Sequence, residues 1–275
     1  MEIGDCRLCL SKGVSLHHSH FMPRSLYPLF RAGDLHPVRF SREKMVQTSE
    51  QVKDYVFCGD CEKTFNGGGE SWIHTLFATL GGSFEMRDRL LKQAPVLEMG
   101  DVKLFAAGKN PDIDVQKITY FGCGVFLKAA VHPWHGEPAK PYIEMEPNEI
   151  EALRHYLLGT ADLPQTMALC VTVDSAPVVW QAMNEPYRAE PLLGFKRYVF
   201  YVPGVFFQLC IGDGVQEKIS TCINGNPNGP ILYENVSISM RNTGREELKN
   251  AERPQKLLDM MANLEKKGLN IRLGD

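Results

Sequence analysis

"SLHHSHFMPRSLY", residues 15–27, sets three histidines within four positions and follows them with Met-Pro-Arg. Two matched cysteine pairs flank it, "CRLC" at 6–9 and "CGDC" at 58–61. Zn²⁺ is tetrahedral, borderline soft and free of redox chemistry, so four thiolates suit it. A C-x-x-C turn brings two sulfurs together with little strain, and two such turns complete one shell. Cys6, Cys9, Cys58 and Cys61 are therefore expected to bind a structural Zn²⁺. With four protein ligands the site is closed; it holds the fold and does no chemistry. Its binding energy would supply much of the folding energy of a small module. Cys123, Cys170, Cys210 and Cys222 stand singly among apolar neighbours and read as small buried hydrophobes.

Zinc leaves His17, His18 and His20 unexplained, because the cysteines already fill its shell. If residues 14–21 form a strand, His18 and His20 share one face and His17 and Ser19 the other. "KDYVF" (53–57) reads as a second strand running into the second cysteine pair, and that pair opens a helix carrying Glu62. Five of the eight histidines lie in residues 1–100. Residues 24–44 are locally basic, with Arg24, Arg31, Arg39, Arg42 and Lys44 against Asp34 and Glu43.

The remaining composition sets broad limits. The chain has 275 residues, enough for two domains, and 44% are hydrophobic, which is ordinary for a globular protein. The net charge of −3 and a pI near 6.3 exclude a chain-wide basic field for nucleic acid, so any such contact is local. No window approaches the run of about 18 apolar residues that a membrane helix needs. "MEIGDCRLC" has neither the basic start nor the apolar stretch of a signal peptide. A cytoplasmic location and reduced, metal-binding thiols are expected.

The fold class expected is α+β, divided into residues 1–100 and 101–275. Ile73, Leu76, Phe77 and Leu80 recur at helical spacing behind Ser71, until Gly81-Gly82. Residues 101–115 read as a connection. Asp112 or Asp114 caps a helix running to about Val131, where Pro133 stops it. A second helix opens at Asn148, with Ile150, Leu153 and Leu157 apolar and Gly159 at its end. "MALCVTV", "VVWQAM", "FKRYVFYV" and "VFFQLCI" then read as strands of an antiparallel sheet, the last two joined at Pro203-Gly204. "NGNPNG" (224–229) is a loop, and residues 255–266 form a terminal helix. "HPWHG" (132–136) reads as a turn, and the basic residues of 116–128 as a solvated face.

The order C-x-x-C, strand with "SHFMP", then C-x-x-C opening a helix resembles the zinc-bearing branch of the HNH, or His-Me finger, endonucleases. The likeness covers residues 6–73, and it extends loosely to bacterial HNH proteins associated with phage defence. It implies a ββα-metal motif on a treble-clef zinc knuckle. It puts His20 in the place of the general base. It makes Glu62, directly after the last zinc cysteine, a ligand of a catalytic Mg²⁺ or Mn²⁺, with Asn66 as a second ligand and Glu70 and His74 as weaker candidates. Arg24 would hold a phosphate oxygen, and His18 would face the same substrate. Three departures stand out: Ser19 occupies the family's acidic position, the middle Asn is missing, and Gly67-Gly68-Gly69 interrupts the helix.

Phosphodiester hydrolysis needs a base for water, charge on the phosphate and help for the leaving oxygen. A neutral imidazole, an oxygen-ligated divalent cation and an arginine meet those needs. The first expectation is therefore a metal-dependent HNH endonuclease acting on nucleic acid, DNA before RNA. Its residues 101–275 would bind substrate, a partner protein or a second copy of the chain. The alternative is a catalytically inactive, zinc-stabilised module, derived from the same fold, that binds nucleic acid or protein.

Overall fold

A computed structural model describes residues 2–30, 38–40, 45–47, 51–134, 140–238, 240, 242, 255 and 259, with only the backbone for 38–40 and 45–47. It is a mixed α+β chain. The first strands are β1 (Glu2–Gly4), β2 (Val14–His20), β3 (Val38–Phe40), β4 (Met45–Gln47) and β5 (Lys53–Cys58). Helices α1 (Gly59–Phe65), α2 (Ser71–Ile73) and α3 (Glu85–Leu90) follow, then the hairpin β6 (Leu97–Met99) and β7 (Val102–Ala106). Next come α4 (Val115–Val131), α5 (Pro147–Leu157), β8 (Met167–Asp174), β9 (Tyr187–Leu192), β10 (Phe195–Val202) and β11 (Val205–Ile211). The short helix α6 (Val215–Lys218) and β12 (Pro230–Glu234) complete the order.

β1, β2 and β5 form a three-stranded antiparallel sheet. Between His17 and His18 the β2–β5 register shifts: His17 faces Phe57, but His18 faces Tyr55. The extra residue, Val56, makes a bulge in β5, of a kind that often re-aims side chains beside functional sites.

α4 is the spine of the molecule. Its residues from Ile118 to Ala130 are almost all buried, including positions on every side of the helix. A helix that is apolar all round needs packing partners on all sides. One side meets the large sheet, where Phe121 packs edge-on against Phe207 at 5.5 Å and Phe126 against Phe200 at 5.1 Å. Another side meets the N-terminal unit. A Cβ at Gly68 would fall 2.2 Å from the Tyr120 ring, and one at Gly69 would fall 2.6 Å from the Lys117 carbonyl. Gly68 and Gly69 therefore let the chain lie directly on α4. They also interrupt the helical path as expected: the turn of residues 66–70 between α1 and α2 is kinked at Gly69, whose φ of 160° is not helical. Beyond α4, Trp134 closes over Phe21 and Phe57, so both halves of the chain share one core.

Asp114 caps α4, accepting the Lys117 amide at 3.0 Å. Glu146 and Glu149 form a reciprocal capping box at α5, behind Pro147. The seven-stranded sheet runs β6-β7-β12-β8-β11-β10-β9. It is mixed, correcting the antiparallel expectation, because β12 lies parallel to β8. Every residue of β8 is buried. One face of the sheet is covered by α4, and a small cluster of Ala168, Cys170, Cys210, Val215, Ile219 and Cys222 covers part of the other.

Other expectations need correction. "VVWQAM" is not a strand; residues 178–183 are irregular, and the chain next pairs at β9. The connection expected at 101–115 contains β7, and the division at 100/101 falls within the β6–β7 hairpin. The helix after Ser71 is only α2 and one 3₁₀ turn, with Leu80 exposed. Lys128 is not on a solvated face; its side chain is 1% exposed. Arg31, Arg42, Lys44, His135 and all of residues 255–266 except Gln255 and Asp259 lie outside the described residues, as does the side chain of Arg39.

Candidate functional site

The ligand atoms of Cys6, Cys9, Cys58 and Cys61 all lie within 4.8 Å of one another. Cys9 Sγ and Cys58 Sγ are 3.8 Å apart. A tetrahedron with Zn–S bonds of about 2.3 Å has edges of about 3.8 Å, so the spacing fits a metal ion such as zinc. The first knuckle is held by the Cys6 amide donating to the Ser11 carbonyl and the Leu10 amide to the Cys6 carbonyl, both at 3.0 Å. Leu10 takes a left-handed φ of 60° to close it. The Cys58 amide donates to Cys6 Sγ at 3.3 Å. A hydrogen bond from Cys61 brings the Cys6 thiol down to about 4, while that same bond and burial push Cys61 up. Burial also raises Cys58. One ionised sulfur thus resists ionisation of its neighbours, a repulsion that a divalent cation removes.

His20 ends β2 and is half-buried. Burial, together with the charges of Lys53 and Lys128, holds its imidazole below the ordinary value of 6.5, against the opposing pull of Gln51 and Glu62. The charge of Glu62 acts on His20 and on Glu70 alike. Glu62 Oε1 is buried and has no hydrogen-bond partner among the described residues.

His18 goes elsewhere. Its ring stacks on Tyr55, 4.8 Å between centroids and 13° from parallel. The neighbouring Asp54 is bonded to His132 Nε2 at 2.8 Å. Burial raises the Asp54 carboxyl, but the His132 bond, the Tyr55 amide and the charges of His132 and His18 outweigh it and hold it below its ordinary 3.8. His17 is exposed and lies against Gly59, where an added Cβ would sit 2.8 Å from its Nε2. Asn66 is exposed at the end of α1, one turn beyond Glu62. Arg24 is exposed at the start of a 3₁₀ helix, Arg24–Phe30.

Comparison with protein-family models, curated proteins and solved structures finds no match. The chemistry of the site is therefore argued from its own geometry.

Ser19 is 1% exposed and is used by the backbone, bonding both Phe57 and His17. Glu70 and Lys128 form a buried ion pair at 2.5 Å beneath His20. Lys128 Nζ also donates to the His20 carbonyl at 3.3 Å and lies 4.5 Å from the centre of the Phe65 ring. Sequence reasoning missed Lys128, although a signal exists: it is the lone charge inside "GVFLKAAV". The His132–Asp54 bond had no such signal, since nothing local links a turn to a strand 78 residues away.

Proposed function

We propose that this chain is a metal-dependent phosphodiesterase of the HNH type, an endonuclease acting on DNA before RNA. In this reading the cysteine knuckle, the β2–β5 pair and α1 make up a treble-clef ββα unit, with zinc on the four thiols as its structural metal. The observation that carries the proposal is the buried Glu62 Oε1, without a hydrogen-bond partner among the described residues, within the electrostatic reach of His20, whose imidazole burial holds below its ordinary value. A buried carboxylate oxygen without a donor is costly unless something else binds it. A hard divalent cation wants that kind of oxygen.

His20 takes a proton from the attacking water as the general base. Glu62, with Asn66, would hold Mg²⁺ or Mn²⁺, which when bound supplies Lewis-acid charge to the phosphate and the leaving oxygen. Arg24, exposed four residues beyond His20, is free to reach a phosphate oxygen as a charged donor. The Ser19 observation favours the second reading, an inactive zinc-stabilised binding module: the residue at the family's acidic position is a hydroxyl bonded to the Phe57 amide and the His17 carbonyl. Purified protein incubated with plasmid, single-stranded DNA and RNA, in Mg²⁺, Mn²⁺ or EDTA, separates the two. Metal-dependent cleavage that His20→Ala abolishes is expected. Binding without cleavage under every condition would leave the binding module.

A further inference from the structure

Lys128 belongs to α4, in the half of the chain that supplies no residue to the HNH-like motif. Lysine is almost never fully buried without a partner. Here the ammonium has three: Glu70 Oε1 at 2.5 Å, the His20 carbonyl at 3.3 Å and the Phe65 ring at 4.5 Å. Glu70 is buried directly after the kink at Gly69, whose φ of 160° is not helical. There the chain is pressed onto α4, Gly68 against Tyr120 and Gly69 against Lys117, on the helix that carries Lys128. At the far end, the His20 carbonyl is the last of β2. Immediately after it the chain bends, and Phe21 donates to Val52. The ammonium therefore ties together the end of the strand that presents the imidazole and the helical path that presents Glu62.

We propose that Lys128 is a positioning residue of the site: clamped by Glu70, it fixes the main chain at His20 and so aims the imidazole toward the space beside Glu62. The proposal rests on the phosphodiesterase reading for its catalytic consequence, but not for its structural one. It also gives α4 a role in the site that packing alone would not require. A buried ion pair is a poor device for stability, since apolar residues of the same volume usually do as well or better. What the pair adds is direction: a charged donor held at a single carbonyl.

The test uses the full chain with zinc bound and compares the wild type with Lys128→Met/Glu70→Met. Replacing both partners removes the charges together and leaves neither one buried alone. Zinc content and thermal stability should match the wild type. The kcat for metal-dependent cleavage should fall about 10²-fold, the order expected for an aim lost by about 1 Å. KM should stay within about twofold, because no substrate contact is removed. The ¹⁵N resonances of the His20 ring, assigned by their loss in His20→Ala, should be displaced. A wild-type kcat or unmoved His20 resonances would overturn the proposal. If the double variant does not fold, Glu70→Gln, which keeps the volume and an acceptor but removes the ionic clamp, is judged by the same two readouts. If the wild type cleaves no nucleic acid, the phosphodiesterase reading fails by itself. The His20 resonances then decide on Lys128: displaced, the positioning stands; unmoved, it falls.

Discussion

The Ser19 hydroxyl accepts the Phe57 amide at 3.3 Å and donates to the His17 carbonyl at the same distance. His17 and Phe57 are the register pair next to the β5 bulge at Val56. Ser19 therefore braces the two strands beside the bulge. Ser19→Ala would leave a buried amide unsatisfied and should lower stability by about 1–3 kcal/mol in urea unfolding, with zinc content unchanged. Ser19→Asp, which restores the acidic residue of the HNH pattern, should destabilise further without increasing cleavage, since a carboxylate at a 1% exposed position is buried without a cation.

Zinc should be present at about one ion per chain, and Cys58→Ser or Cys61→Ser should release it and unfold the N-terminal unit. Atomic absorption and circular dichroism check this. Cys123→Ser and Cys222→Ser should leave zinc content unchanged, because both thiols are buried outside the cluster. A metal-free chain that stays folded would refute the structural role.

The three consecutive glycines should not respond alike. Gly67 has nothing within 4 Å of an added Cβ, whereas one at Gly68 would collide with Tyr120 at 2.2 Å. Gly67→Ala should be neutral or stabilising by about 0.5–1 kcal/mol, from helix propensity and chain entropy. Gly68→Ala should cost about 1–3 kcal/mol through forced displacement of the helix contact. Thermal unfolding of the two variants side by side tests the contrast.

The acid limb of the cleavage rate should lie below pH 6.5. A base works only when unprotonated, and burial holds His20 below that ordinary value, so activity rises through the lowered midpoint and is level by neutral pH. A limb above pH 6.5 would point to another base.

Glu62→Ala should abolish cleavage at low Mg²⁺ and recover in part at high Mg²⁺ or Mn²⁺, with folding intact. His17→Ala should be mild, as that ring rests on Gly59. If His18→Ala is dead and His20→Ala cleaves normally, the base is His18 and the register is wrong by two residues.

The features legible in the sequence are those with local signals. Two C-x-x-C pairs announce a thiol cluster whatever lies between them. Asp114 before an apolar run announces the start of α4, and Pro203-Gly204 between β-branched runs announces the β10–β11 hairpin. β12 was missed because "PILYE" is short and follows a loop, and only pairing with β7 and β8 makes it a strand. β9 was missed because an edge strand with exposed Tyr187, Arg188, Glu190 and Pro191 lacks the apolar alternation that marks a buried one. The buried pairing of Lys128 has no such signal, because charge normally means solvent and its partner Glu70 lies beyond the glycine kink, 58 residues away in sequence.

The position of β12 also bears on synthesis. The thiol cluster can close once residue 61 has left the ribosome, whereas the large sheet cannot. β7 and β8 flank β12, so each presents an open edge until residues 230–234 emerge. A nascent chain that ends between β11 and β12 thus holds two open strand edges, the kind of surface that chaperones cover and aggregates exploit. Chains stalled just before residue 230 should therefore be bound by chaperones, and chains stalled well beyond residue 234 should be released.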